Sequence, residues 1–328
     1  MRHHTNRAAV AVSVLGLLVV GAAGPAQAST VSFAVMGDIP GGSAQIAAFP
    51  GRFGQINADP DVQLVGHLGD IGHPPTCSDA YYATIRHDFD KFADPLVYSP
   101  GDNDWADCHR AQVGRGNPLS RLAALRAVFF PVAGQTLGQN KAAVSVPNGG
   151  YRENVMLDRA GITIAAVHVV GWDNDLLPWN GLGYSRPTSA QLAEETARTG
   201  ADVALIRGAF ARATENNSRA IVLLMHADMF VGTPSTTYRT AYQAIVRTIA
   251  AQSVAFTRPV FLLNGDSHGF ASNKPLTNPK WLSFYGISCA VSNSSRITVE
   301  GSYLVDEWVK VNVVSGPSVL EVHRVAYR

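Results

Sequence analysis

Apolar residues along the chain fall into two kinds of pattern. Short unbroken runs end in glycine and acidic residues, and longer stretches repeat their apolar positions every three or four residues. The first kind predicts buried strands and the second predicts helices with one covered face. VSFAVMG (31–37), VQLVGHLG (62–69) and PLVYSPG (95–101) each run into Gly-Asp. Between them, AQIAAFPGRFGQINA (44–58) reads as a broken helical stretch. SDAYYATIRHDFDKF (78–92) reads as a helix carrying Tyr82, Ile85 and Phe89 at helical spacing. LSRLAALRAVFF (119–130) predicts another helix, and 153–171 a hairpin turning at Ala160-Gly161. The segment 188–217 predicts a long helix capped by Thr188 or Ser189, with Glu further on. AIVLLMHAD (220–228) and PVFLLNGDSHG (259–269) predict strands with their loops, on either side of a helix over 237–252. From Trp281 onward, SRITVEG, YLVDEWVKVNVV and SVLEVHRVA predict antiparallel strands. Strands alternating with helices predict an α/β fold with its site at the carboxyl ends of the strands. No repeat, low-complexity segment or linker divides the chain, so residues 29–328 are expected to form a single domain.

The first 28 residues follow another pattern. Arg2 and Arg7 precede an uncharged apolar run, and Ala26-Gln27-Ala28 forms a small-x-small site. This is the grammar of a secretory signal peptide (1–28), with the mature chain starting near Ser29 and the protein secreted or periplasmic. The run is short for a membrane span and no positive flank follows it. No later segment is apolar for long enough to cross a bilayer.

Composition narrows the function classes. At 328 residues and 46% hydrophobic content, the chain has enough apolar material for a large core. A formal net charge of +1 without a basic block does not suit a nucleic-acid partner, whose binding needs clustered Lys and Arg. Nothing in the pattern specifies an oligomeric state.

Candidate chemistry sits at five strand ends. They are VMGDI with Asp38, HLGDIGH with Asp70, SPGDND with Asp102, LLMHAD with His226, and NGDSH with Asp266 and His268. One Gly-Asp after a strand is ordinarily a turn, and one strand-end histidine is ordinarily a packed imidazole. Five in succession, folded onto one edge, bring carboxylates together, and those repel unless cations sit between them. Cys77 follows the second of these motifs and Cys108 the third. If those strand ends are neighbours, a Cys77–Cys108 bridge is geometrically feasible in an oxidising compartment, leaving Cys289 as a buried thiol.

In order and wording these motifs resemble the calcineurin-like metallophosphoesterase family, which includes purple acid phosphatases. The family pattern runs D-x-H, G-D-x-x-[DHY], G-N-H-[DE], a lone strand-end His, then G-H-x-H, and the match covers roughly residues 31–270. The resemblance implies a four-layer α/β/β/α sandwich of two mixed sheets flanked by helices, the strands after residue 281 completing the second sheet. It implies two divalent metal ions and hydrolysis of a small phosphorylated substrate, a mono- or diester, by a metal-activated water. Asp38 would bind the first metal, Asp70 would bridge, Asp102 and His226 would bind the second, and His268 the first. Asp266 stands where the family has a histidine and would also reach the second metal.

The departures from the pattern shape these expectations. Pro40 occupies the slot of the first-motif histidine. Purple acid phosphatases, which also lack that histidine, use a Tyr three residues after the bridging Asp, and here that residue is His73, a further candidate ligand. Asn103 replaces the histidine that assists the leaving group. An amide cannot shuttle a proton near neutral pH but can hydrogen-bond a phosphoryl oxygen. Asn103 is therefore a candidate catalytic residue, as is Asp104, which matches the family's acidic residue that orients the missing histidine; a metal-bound water, His109 or the substrate itself would stand in as the acid. Asp102 and Asp266 replace neutral ligands, which shifts preference from Zn²⁺ toward Mn²⁺, Mg²⁺, Fe or Ca²⁺. Arg110 and Arg152 are candidate phosphate contacts, and Trp172 and Trp179 candidate stacking surfaces, in a loop that follows the strand carrying His168. Loss of the proton donor keeps open an alternative: a degenerate member of the fold that binds metal or ligand without turnover.

Overall fold

The computed structural model describes residue 1 and residues 31–328, apart from 75, 148–149, 233–234 and 304. The expected signal peptide lies outside the described residues.

Two mixed sheets form the centre. The first contains β1 (Val31–Met36), β2 (Val62–His67) and β3 (Leu96–Tyr98) in parallel; β10 (Glu307–Val313) pairs antiparallel with β1 and β11 (Leu320–Ala326) antiparallel with β10, in the order β11-β10-β1-β2-β3. The second has the order β4-β5-β6-β7-β9-β8. Within it β5 (Ile162–Ala166), β6 (Ile221–Met225), β7 (Val260–Asn264) and β9 (Ser294–Thr298) run parallel, while β4 (Val155–Arg159) and β8 (Ala271–Asn273) are antiparallel edges.

The continuous apolar runs are explained by burial on both faces of each sheet. In β1, Phe33 and Val35 enter a cluster between the sheets, while Ala34 and Met36 enter one shared with residues of α1 (Gly42–Asn57), α2 (Asp79–Phe89) and α3 (Pro118–Phe129). In β6, Val222 and Leu224 join the inter-sheet cluster, while Ile221, Leu223 and Met225 face α5 (Ser189–Glu215) and α6 (Thr236–Phe256). Helices thus cover the outer face of each sheet, which gives the expected four layers.

Local details follow the chemistry of the caps. Thr188 accepts from Gln191 N at 3.1 Å and Gln191 Oε1 accepts from Thr188 N at 3.2 Å, closing a capping box with Gln191 rather than a later Glu. The hairpin turns at Ala160-Gly161 with positive φ at both, 52° and 74°. The stretch after β1, expected to be broken, is one helix with Pro50 inside it. Buried Phe49, Phe53 and Ile56 hold it against the sheet despite the missing donor.

The C-terminal part departs from the sequence reading. Trp281 lies in a helix, α7 (Pro279–Tyr285), started by Pro279 and capped by Asn278. β9 is parallel to β7 and belongs to the second sheet. β10 and β11 complete the first sheet, not the second, because β10 pairs with β1 (Val31 opposite Val313).

Cys77 and Cys108 are bonded, with Cα atoms 5.8 Å apart, and tie the loop after β2 to the loop after β3. Cys289 is exposed, not buried as expected, because it follows α7 at the surface. Replacing both bonded cysteines by serine opens a loop of 31 residues, for which chain entropy predicts a loss of about 3–4 kcal/mol. Denaturant titration of the variant checks this, and an unchanged midpoint refutes it. No described helix is long and apolar enough to cross a membrane.

Candidate metal centre

The parallel strands deliver the five motifs to one place. Asp38 follows β1, Asp70 follows β2, and Asp102 lies four residues beyond β3. His226 is the residue after β6, and Asp266 and His268 follow β7. Asp38, Asp70, Asp266 and His268 have φ of 55°, 53°, 70° and 62°. Left-handed backbone at four such residues turns the chain sharply off the strand ends, and non-glycine residues there mark a site held by its surroundings.

Among the described residues, two groups of side chains have ligand atoms within 4.8 Å of one another: Asp38, Asp70 and His268, and Asp70, Asp102 and His226. Asp70 belongs to both. His226 Nε2 lies 2.9 Å from Asp102 Oδ1, 3.3 Å from Asp70 Oδ1 and 4.0 Å from Asp266 Oδ1. His268 Nε2 lies 3.5 Å from Asp38 Oδ1. Asp266 is in neither group. It accepts from Asp228 N at 2.9 Å, and its own N donates to Asp38.

These donors suit divalent cations. His226 Nδ1 is 2.7 Å from the Leu68 carbonyl, so its proton is fixed there and Nε2 faces the carboxylates. A ligand imidazole anchored through its other nitrogen is the usual arrangement at a metal. Burial pushes Asp38 and Asp266 up to about 7, with His226 pulling each the other way. Burial also holds Asp70 well above the carboxylate range. Burial works against charge on His226, but Asp70 and Asp102 outweigh it and raise its affinity for a proton. A metal-free site thus recruits positive charge from solvent protons, the need that a cation meets directly. Gly171 closes the centre from the second sheet: a Cβ there would lie 2.5 Å from Asp102 Oδ1 and 2.6 Å from Asp266 Oδ1.

Asp70, Asp102, Asp266 and His268 line a cavity of about 540 Å³, together with His73, Asn103, Arg110, Trp172, Asp173, Val231, Ser235, Tyr238 and Ser267. Asn103 donates Nδ2 to Asp70 Oδ2 at 2.7 Å and backbone N to Asp70 Oδ1 at 3.1 Å. His73 stands beside the ligand groups but belongs to neither. Its Nδ1 is 3.3 Å from Asn103 Nδ2 and its Nε2 is 2.9 Å from Tyr303 Oη.

Asp104, read from the sequence as catalytic, does not line the cavity. Its carboxylate accepts from Asp70 N, Ile71 N, Gly101 N and Tyr98 Oη at 2.6–3.1 Å. Those bonds fasten the Asp70 loop to the Asp102 loop. His109 lines a smaller neighbouring cavity of about 200 Å³, with Nδ1 accepting from Gly181 N. Of the two arginines, Arg110 lines both cavities and is ion-paired to Asp107, whereas Arg152 bonds the Phe130 and Pro131 carbonyls. Trp179 is buried, its Nε1 on Asp175, and offers no surface, while Trp172 is 63% exposed at the cavity. His168 is fully buried between Glu153 and the Trp105 indole.

Three residues carried no recognisable signal in the sequence. Asp228 pairs with Arg296 and receives the Ser267 hydroxyl while its N–H supports Asp266. Asp228 stands two residues after His226, a spacing that marks it only in hindsight.

No protein-family model matches the sequence, and no curated protein sequence matches it. Among solved structures the chain is similar to GAP50, described as the anchor in the inner membrane complex of Plasmodium, at 9% identity and TM-score 0.43, covering 92% of this chain and 90% of that one. It is also similar to a Staphylococcus aureus protein described as a 5'-nucleotidase, solved with alpha-ketoglutarate, at 11% identity and TM-score 0.44. That match covers 91% of this chain and about half, 54%, of the other.

Proposed function

We propose that this chain is an exported, metal-dependent phosphoesterase acting on small phosphate mono- or diesters. One observation carries the reading: Asp70 belongs to both candidate ligand groups, and members of each open onto one cavity of about 540 Å³. Two divalent ions in such groups lower the pKa of water and neutralise phosphoryl oxygens during in-line attack. Asp38, Asp70 and His268 would hold one ion, and Asp70, Asp102 and His226 the other, with Asp266 near the second. Asn103 and Arg110, both lining the cavity, would receive phosphoryl oxygens. Asp104 and Asp228 would hold the ligand loops in place. Export follows from the leader pattern and accords with the Cys77–Cys108 bond.

The site is richer in carboxylate than imidazole, so a dianionic monoester meets more repulsion than a monoanionic diester. With Mn²⁺ bound, bis(p-nitrophenyl) phosphate is expected to be cleaved with a kcat/KM ~10-fold or more above that of p-nitrophenyl phosphate. A clear monoester preference refutes that expectation.

One observation favours a second reading, a binder without turnover: Asn103, an amide that cannot shuttle a proton, stands at the position next to Asp102. Purified protein loaded with Mn²⁺ separates the two. Metal near two per chain with no hydrolysis of a mono- and diester panel would establish the binder, and turnover that disappears with chelation establishes the enzyme.

A further inference from the structure

Residues 172–175 are the most unusual backbone beside the site. Trp172, Asp173, Asn174 and Asp175 have φ of 43°, 60°, 54° and 66°, so the short element α4 (Gly171–Asn174) is a left-handed turn. Asn and Asp tolerate this region, but tryptophan does not favour it. The turn is held from below. Arg198, fully buried, bonds the Asn174 side chain and donates Nη2 to its carbonyl at 3.0 Å. Tyr242 Oη accepts from Asn174 N at 3.2 Å, and Gln191 Nε2 donates to the Asp175 carbonyl at 2.6 Å.

This scaffold fixes Trp172 against the metal centre. At the preceding residue, Gly171, even an added Cβ would run into the Asp102 and Asp266 carboxylates, and consecutive Cα atoms are only about 3.8 Å apart. Trp172 nevertheless stays 63% exposed, and with Val231 and Tyr238 it adds apolar side chains to the otherwise polar and charged lining of the cavity. A large indole held in an unfavourable conformation, in water, beside the reacting position contributes little to the fold. It suits a ligand ring.

Resting on the phosphoesterase reading above, we propose that Trp172 is a specificity-determining residue that stacks on a planar aromatic group of the substrate, so that the preferred esters are aryl or nucleoside phosphates rather than alkyl phosphates. Tyr238, its hydroxyl 2.5 Å from the Asp228 carbonyl, would border the same ring.

Fluorescence tests this without turnover. Trp105, Trp179, Trp281 and Trp308 are buried, so Trp172 supplies the indole that acrylamide quenches in the Mn²⁺-loaded protein. Stacking on an aromatic side chain is worth about tenfold in affinity or more, so phenylphosphonate should protect at ~10-fold lower concentration than methylphosphonate. Equal protection by the two overturns the proposal. In kinetics, Trp172→Ala should lower the phenyl-to-methyl phosphate ratio of kcat/KM by ~10-fold, and Trp172→Phe should retain most of it. An unchanged ratio overturns the proposal as well. Trp172→Gly, which suits the left-handed backbone, should melt no lower than the parent and gives a second folded variant for the same comparison. If the loaded protein hydrolyses methyl phosphate but phenylphosphonate gives no added protection, only the stacking fails. If it hydrolyses no mono- or diester, the phosphoesterase reading fails and the quenching result alone decides the stacking.

Discussion

Replacing Asp70 by Asn is expected to empty both metal positions and lower kcat/KM by at least ~100-fold, while the metal-free protein keeps its melting temperature at neutral pH. The loss is large because Asp70 is the residue common to both ligand groups. The amide removes the charge that would hold the two ions together. Stability survives for the same reason that the site needs cations: a buried Asp70 carboxylate resists ionisation, so a neutral side chain of the same shape relieves strain in the metal-free state. Metal analysis, kinetics and calorimetry on one preparation check all three parts. A variant that retains two metals but melts much lower would make Asp70 a structural residue and end the assignment.

The second large effect is a metal-dependent change in how stability responds to pH. In the folded metal-free chain, Asp38 and Asp266 rise from an ordinary 3.8 to about 7, chiefly through burial. A raised folded pKa means stability that is fully present below about 3.8 and lost as pH climbs to about 7. His226 acts in the same sense, keeping its contribution below the ordinary histidine value and losing it as pH rises through its raised value. For Asp102 burial opposes ionisation but the bond to His226 outweighs it, so its contribution is lost only in strong acid. The metal-free melting temperature should therefore fall as pH rises from about 4 to about 7. Cations reverse this, because they bind the ionised carboxylates and displace protons. At a free Mn²⁺ level of 100 times Kd, one occupied site contributes about 2.7 kcal/mol, or roughly 4 °C in a chain of this size. That increment should be small near pH 5 and full near pH 8. Melting curves with and without Mn²⁺ across this range decide the matter, and an increment independent of pH would contradict it.

Much of the site was legible because it is written in local grammar. Asp38, Asp70 and Asp102 each follow an apolar strand through a glycine, and His226 and His268 close two more. Parallel strands place their carboxyl ends on one edge, so five local signals could be summed before any contact was known. The bond between Cys77 and Cys108 was legible for the same reason, since each follows one of two neighbouring strand ends. The surroundings of other candidates depend on what arrives from far along the chain. Asp104 was legible as the match to the family's acidic residue, but its donors, Asp70 N and Ile71 N among them, could not be read from the sequence. His73, a candidate ligand, has its Nε2 on Tyr303, from the chain segment before β10, a contact that no local pattern displays. Trp172 and Trp179 looked alike in sequence, and only packing buries one and exposes the other.

By itself, then, the amino-acid order determined the alternation of strands and helices, the burial of both sheet faces, and the carboxylate-rich character of the strand ends. Those properties arise from nearest-neighbour backbone geometry and from the period of apolar positions, which any window of the chain displays. The tertiary structure alone decided that β10 and β11 close the first sheet against β1, that Asp70 is shared, and that a left-handed turn holds an exposed indole over the centre. Each of these depends on groups distant in sequence meeting in space. Val313 finds Val31, His226 finds Asp102, and Arg198 holds Asn174 in a conformation that its neighbours in the chain would not adopt alone.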